Sequence, residues 1–430
     1  MTSENLVLCL VLLLLSPLAI AGLALINQGL GRSRSAAHAM MGTLCTLAIA
    51  AIVMVVVGAG FAGFKGGGAY SIHLGGVAWD WLGNTSLFMG NSLLGSQSAA
   101  AGYVLVCLHI FASGLAAMIP LGAGSDRWRL APICASSALF SGFTYPLIAH
   151  WVWGGGWLSQ LAVHFGGASF VDVGGAGVIQ ITGGLTALSI VWIVGPRRGK
   201  YTTDALSTAI PGHNIVLVLF GCVLALLGWI GLESATSLLF YNLAPIRIAV
   251  IVVNAILSAS CGCLAVVVVT QVRYRKPDAS LSANGWIAGL VAGSAGCAFV
   301  SPLAAMLTGA VAGSLLIFMI EFLELKLLID DPSGSISVHA GAGVWGLISV
   351  AFFTPVGNEL RGAQILAQLV GIATFLGFML PWIHAVNLIL NRLVPYRVDR
   401  DGDRQGMDIR ELGAGAYPEF VVHSEEFLPR

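Results

Sequence analysis

The stretch DVGGAGVIQ, residues 172–180, decides how the chain is read, because DPSGSISVH, residues 331–339, repeats its layout. Each opens on an aspartate where an apolar run begins. Each carries a polar side chain eight residues later, Gln180 in one and His339 in the other. If a helix starts at each aspartate, a rise of about 1.5 Å per residue places the polar group about 12 Å along it. Half of a bilayer's hydrocarbon core is about 15 Å. Two such helices entering from opposite faces bring Gln180 and His339 together near the midplane, where a polar group is costly and marks function.

The rest of the chain fits a bilayer. Hydrophobic residues make up 57% of it and charged residues 9%, and the mean hydropathy is +0.89. Soluble domains carry far more charge. Apolar runs of about 20 residues recur along nearly the whole length, which indicates helices rather than the shorter alternating strands of a barrel. A net charge of zero argues against nucleic acid as a partner. The 55 glycines suit close helix packing in lipid. The eight cysteines include no C-x2-C pair and read as small packing residues. No metal-ligand cluster, nucleophile–base motif or phosphate loop stands out, so neither an enzyme nor a cofactor is expected.

Eleven spans are expected, at 5–27, 38–61, 101–121, 131–151, 173–195, 214–232, 246–270, 284–299, 303–326, 338–354 and 362–392. The first resembles a signal peptide in hydrophobicity but lacks a basic leader. Loops after odd-numbered spans and the tail carry 17 of the 20 basic residues, leaving Lys65, Arg247 and Arg361 on the other side. The positive-inside rule then puts the N-terminus outside and the C-terminus in the cytoplasm. The fold class is an all-α polytopic membrane protein, with spans 1–5 and 6–10 forming an inverted repeat and span 11 an addition. Residues 1–392 form the membrane domain and 393–430 a cytoplasmic tail. Asp172 and Asp331 are expected as helix N-caps, Asp331 with Pro332 at the first helical position.

Several segments then carry a resemblance: IAHWVWGGGWL (148–158), DVGGAGVIQITGG (172–184), PGHN (211–214), GWIGLES (228–234), DDPSGSISVHAGAGVWG (330–346) and GMDIRELGAGAY (406–417). In this order they resemble the ammonium transporter, methylammonium permease and Rhesus family, over about residues 5–418. The resemblance implies eleven helices, a pore in each subunit of a homotrimer, ammonium or ammonia as the substrate, and a cytoplasmic nitrogen-regulatory protein as a partner. It also implies an outer vestibule that recruits ammonium by cation–π and hydroxyl contacts, a gate of stacked phenylalanines, and two pore histidines. By motif position Trp153 is similar to the vestibule tryptophan, Trp229 to the tryptophan near it, and His339 to the second pore histidine.

The chain departs from that pattern at several positions. Gln180 stands where the first pore histidine is usual. An amide hydrogen-bonds but does not titrate in the accessible range, so a two-imidazole proton relay cannot operate. Leu232 replaces the inner gate phenylalanine, and Phe111 is the candidate outer one. Thr236 replaces the vestibule serine. Glu233 stands where asparagine is usual and could bind a cation or pair with Arg247. Asp172, at the outer side, could add cation attraction to its capping role. His109 could face the pore or bridge two helices. The expected function is transport of ammonium or ammonia through a modified pore. The alternatives are an ammonium-binding sensor without efficient conduction, or a pore for another small solute.

Overall fold

A computed structural model describes residues 2–85, 87–89 and 97–417, and residues 418–430 of the expected tail lie outside the described residues. Among the described residues, eleven apolar helical segments run in chain order. They are α1 (Ser3–Leu30), α2 (Ser33–Ala62), α3 (Ala100–Ala123), α4 (Leu130–Val152), α5 (Ala176–Val194), α6 (Ile215–Phe240), α7 (Arg247–Tyr274), α8 (Ala279–Ser294), α9 (Pro302–Lys326), α10 (Ile336–Phe353) and α11 (Asn358–Leu393). All except α8 are long and apolar enough to cross a membrane, and the protein is a multi-pass membrane protein. Helix α8 has 16 residues, about 24 Å at the normal rise. It starts five residues before the expected span because the Asp278 side chain accepts from Leu281 N at 2.8 Å and sets the first turn earlier. Asn214 and Ser301 cap α6 and α9 in the same way. Helix α11 runs 36 residues, about 54 Å, and must tilt or project beyond a core of about 30 Å.

One element departs from the all-helical expectation. The loop after α2 folds into an antiparallel hairpin, β1 (Ala69–Leu74) and β2 (Val77–Gly83). Gly75 and Gly76 turn it with φ of +61° and +79°, which glycine adopts without steric cost. The pair of glycines between two apolar–polar alternating runs was the available signal.

Packing depends on small residues. A Cβ on Gly228 of α6 would lie 2.0 Å from Ala19 N of α1, and one on Gly309 of α9 would lie 2.0 Å from Ser258 O of α7. Helices at such contacts touch backbone to backbone, which maximises dispersion contact where lipid supplies no hydrophobic drive.

At the basic end, a buried ion network ties three loops together. Arg197, just past α5, clamps Asp330, just before α10, with both Nη2–Oδ1 and Nε–Oδ2 at 2.9 Å. Arg197 also reaches Asp126 at 3.3 Å. Arg127 donates to the Asp330 and Gly195 carbonyls at 2.7 Å each. Burial alone would raise the Asp330 carboxyl. The hydrogen bonds from Arg197 and the charges of Arg127 and Arg197 outweigh it and hold the pKa at about 2.

The segment after α11 folds back on these loops. It contains a short helix, α12 (Arg400–Gln405). Asp408 accepts from His38 N at 2.7 Å and Ala37 N at 3.2 Å, capping the start of α2 from outside the helix. Glu411 accepts from Leu130 N at 2.9 Å and pairs with Arg129 at 3.1 Å. Gly406, at φ +102°, packs so closely that a Cβ would lie 2.5 Å from Arg34 O.

The network sets a pH dependence. Asp330 is held below an ordinary aspartate value of about 3.9, so its contribution is complete above that value and is lost as pH falls toward 2. Asp330→Asn should cost about 3–5 kcal/mol at pH 7, because it leaves buried guanidinium charge uncompensated. Thermal unfolding in micelles should show a lower midpoint for the variant at pH 7, with the gap to wild type narrowing between pH 4 and pH 2.

Candidate functional site

The two repeated segments meet. His339 Nδ1 lies 2.7 Å from Gln180 Oε1, and both side chains are almost fully buried. A carbonyl oxygen only accepts, so His339 Nδ1 carries the proton and Nε2 presents a lone pair. The other end of the amide, Gln180 Nε2, has no hydrogen-bond partner among the described residues. The pair therefore offers one fixed acceptor and one free donor in an apolar setting.

The route to this meeting differs from the simple helix count. Neither helix begins at its aspartate. Gly175 (φ +85°) and Gly334 (φ +70°) turn the chain through left-handed conformations first, and the helices start at Ala176 and Ile336. Asp172 Oδ2 reaches over this turn to Gly177 N at 2.8 Å and Val178 N at 3.0 Å. Asp331 Oδ2 reaches Ile336 N at 2.7 Å. Each aspartate satisfies first-turn amides without occupying the N-cap position, and Pro332 is not the first helical residue. Both helices open with π-helical turns, Ala176–Ile181 and Ile336–Gly341, which widen the helix and occur preferentially at functional sites. Gln180 and His339 lie in those opening turns, nearer their helix starts than eight residues of rise would put them.

Glycines four residues past each polar residue let the segments cross. A Cβ on Gly184 would lie 2.4 Å from Ala340 N, and one on Gly343 would lie 2.7 Å from Ile181 Cγ1 and 2.9 Å from Ala176 O. Each segment therefore holds an aspartate, a left-handed glycine, a buried polar residue and a crossing glycine at the same intervals.

Next to His339 is a small cavity of about 10 Å³, bordered by Asn27, Asn284, Ser333 and Ser335 as well. That is room for about one water molecule. Asn27 Oδ1 has no partner. Ser335 Oγ donates to Ile119 O at 3.1 Å. Sequence reasoning does not single out these four polar residues. Asn27 and Asn284 lie inside apolar spans, and an amide at membrane depth was the available signal.

The expected vestibule residues fall on the other side of the pair. Trp153 donates from Nε1 to Asp172 O at 2.8 Å. Its face is stacked by Phe240, centroids 4.9 Å apart and planes 10° from parallel. The ring against Trp153 is Phe240; Phe111 packs half-buried against the core, and Leu232 lies fully inside it. Phe240 closes the last turn of α6 and carried no motif that could have marked it. Its other neighbour is His109, at 5.7 Å. His109 Nδ1 lies 3.0 Å from Tyr145 OH, so it bridges α3 and α4.

Glu233 is buried in α6, and its Oε2 has no hydrogen-bond partner. It makes no ion pair with Arg247, the ordinary expectation, nor with any other base among the described residues. Arg247 begins the following helix, whereas Glu233 sits two turns before the end of α6 and faces inward. Gly174 makes its space, since a Cβ there would lie 2.8 Å from Glu233 Cγ. One turn earlier, Trp229 Nε1 donates to Ser294 Oγ at 2.9 Å, a bridge from α6 to α8. Thr236 Oγ1 donates to Glu233 O at 2.8 Å and keeps its lone pairs. Asp172 Oδ1 is likewise unpartnered. Two buried carboxylates with free oxygens thus border the same glycine run, 174–177.

Comparison with known proteins agrees with this layout. The profile of the Ammonium Transporter Family matches residues 6–417. The chain is 32% identical to ammonium transporter Amt2 of Archaeoglobus fulgidus, over 94% of this chain and 86% of that protein. It is 27% identical to the ammonium transporter of Bacillus subtilis, over 92% and 94%. Among solved structures, one described as a sensor Amt protein superposes with a TM-score of 0.84 at 26% identity, covering 95% of this chain and 98% of that one. Saccharomyces cerevisiae Mep2 superposes at 0.76 with 22% identity, over 92% and 88%, a likeness of fold.

The crossing itself is testable. Gly184→Val and Gly343→Val should each cost about 1–3 kcal/mol or more through overpacking, lowering the thermal midpoint in micelles. Gly377→Ala, where a Cβ meets open space, should leave the midpoint within about 1 °C of wild type.

Proposed function

The chain belongs to the ammonium transporter family, and on that premise we propose that it moves ammonium nitrogen inward through a pore centred on Gln180 and His339. The observation that carries this reading is the 2.7 Å bond between them, with a lone pair on His339 Nε2 and a free N–H on Gln180. Carrying the intact cation through hydrocarbon is prohibitive, so the ion gives up a proton and crosses as neutral ammonia. His339 Nε2 accepts an ammonium N–H. Gln180 Nε2 donates to the lone pair that ammonia gains on deprotonation. The amide cannot pass a proton on, so the proton left by ammonium crosses by a path other than a two-histidine relay, and ammonia and proton together carry one net charge across.

Recruitment in this reading occurs beside Glu233 and Asp172. Their free oxygens attract a cation, Thr236 offers hydroxyl lone pairs, and the edge of Trp229 and the ring of Trp153 border the approach. The basic end faces the cytoplasm, as the distribution of arginines favours, with the N-terminus outside. The assembly is a homotrimer with one pore per subunit, its cytoplasmic tail open to a nitrogen-regulatory protein. These last points rest on the family and on charge placement.

A second reading is an ammonium-binding sensor without efficient conduction. Phe240 covering the face of Trp153 favours it, because a covered face cannot attract a cation by its quadrupole. The likeness to a sensor Amt protein points the same way.

Solid-supported-membrane currents from purified proteoliposomes separate the two. Transport predicts a saturable ammonium current, reduced at least about tenfold by His339→Ala. Gln180→His should change its amplitude or its selectivity over methylammonium. Glu233→Gln should weaken apparent affinity about tenfold, equivalent to about 1.4 kcal/mol. Tight ammonium binding with no current above empty liposomes would favour the sensor. Neither binding nor current would overturn both readings.

A further inference from the structure

The basic end holds a cavity of about 660 Å³ that the pore does not use. Its walls come from four separate parts of the chain. Arg32 lies between α1 and α2, Arg34 in the first turn of α2, Arg198 follows α5, His213 precedes α6, and Asp403 and Arg404 belong to α12. Four guanidinium groups around one space repel one another, and few acidic groups among the described residues offset them. Asp403, the one acidic wall residue, pairs with Arg397 through Oδ2 at 3.1 Å, and its Oδ1 has no hydrogen-bond partner among the described residues. Arg34 spends its donors on the Arg404 carbonyl at 2.8 Å and the Asp403 carbonyl at 3.0 Å, and makes no ion pair among the described residues. Arg32 approaches Asp126 only at 3.9 Å, and Asp126 is shared with Arg197. The side chains of Arg198 and Arg404 make no ion pair or hydrogen bond among the described residues.

We infer that this cavity binds a multiply charged phosphate group. Arginine is the side chain whose planar fork matches phosphate oxygens two at a time, and four of them supply more donors than a single carboxylate could use. The volume lies within the range of small-molecule sites. Two sources present such a group at this position. One is a free phosphorylated small molecule in the cytoplasm. The other is the headgroup of an anionic lipid, since Arg32 lies two residues past the end of α1, a helix long and apolar enough to cross a membrane. Either would join α12 to the loops after α1 and α5, and so hold the tail against the basic end. His213 already links to the tail there, with Nε2 3.1 Å from Tyr417 OH.

The test measures binding, not transport, so its outcome is independent of the pore reading. Full-length protein in phosphatidylcholine nanodiscs is titrated calorimetrically with inorganic pyrophosphate at fixed salt. In a second arm, nanodiscs containing phosphatidic acid are scored by retention of that lipid through purification. Arg198→Gln combined with Arg404→Gln removes two guanidinium groups that support no other contact, and single Arg198→Gln serves if the double variant unfolds. Arg400→Gln, on the same α12 but outside the cavity, controls for general charge. Saturable pyrophosphate binding weakened at least about tenfold by the double variant and unchanged by Arg400→Gln supports a soluble phosphate ligand. Phosphatidic acid retention lost in the double variant, with no pyrophosphate binding, supports the lipid source. Equal loss in Arg400→Gln, or no binding in either arm, overturns the inference.

Discussion

Gln180 and His339 must find each other inside an apolar bundle, and most of the protein's local geometry derives from that requirement. A polar group left unpaired there costs several kcal/mol. The two side chains satisfy one another at 2.7 Å, which is possible only if their helices cross almost in backbone contact. Gly184 and Gly343 allow that approach. The left-handed turns at Gly175 and Gly334 aim each helix start, and Asp172 and Asp331 satisfy the amides those turns expose.

The chemistry available at the crossing differs from what two imidazoles would provide. An amide opposite a histidine fixes one tautomer and one direction of hydrogen bonding, so the site has a permanent acceptor and a permanent donor instead of a pair that exchanges protons. On one side of it, small polar residues border a cavity fit for a single small molecule. On the other, unpartnered carboxylate oxygens of Glu233 and Asp172 sit near a tryptophan whose face another ring covers. The same scaffold thus places carboxyl groups with unpartnered oxygens on one side of a crossing that holds a non-titrating amide. At the far basic end, the Asp330 network locks the loops beside α5 and α10 to each other. It anchors α5 and α10 at their shared end, and the tail packs on that platform.

Much of this was legible in the sequence. Span number, the basic bias and the pairing of residues 172–180 with 331–339 all come from composition and spacing, because a bilayer imposes length, apolarity and costly polar exceptions that leave marks in one dimension. Asn27 and Asn284 carried that same mark, as amides within apolar runs. The hairpin after α2 was signalled by its two glycines. Other features left no such mark. Phe240 is one phenylalanine among 19, and only the chain's path lays it on Trp153. Arg247 is near Glu233 in sequence, yet helix phase points the carboxylate inward and away from it.

What the sequence determined by itself is the class of object: a polytopic helical membrane protein with two matched half-motifs, one ending in an imidazole and one in an amide. Hydrophobicity and residue type suffice for that, since they act locally along the chain. What only the tertiary structure decided is which atoms face which: the tautomer of His339, the covered face of Trp153, the unpaired Glu233, and four arginines gathered from distant segments around one cavity. Those depend on crossing angles and turns a few residues long, where one left-handed glycine redirects a whole helix.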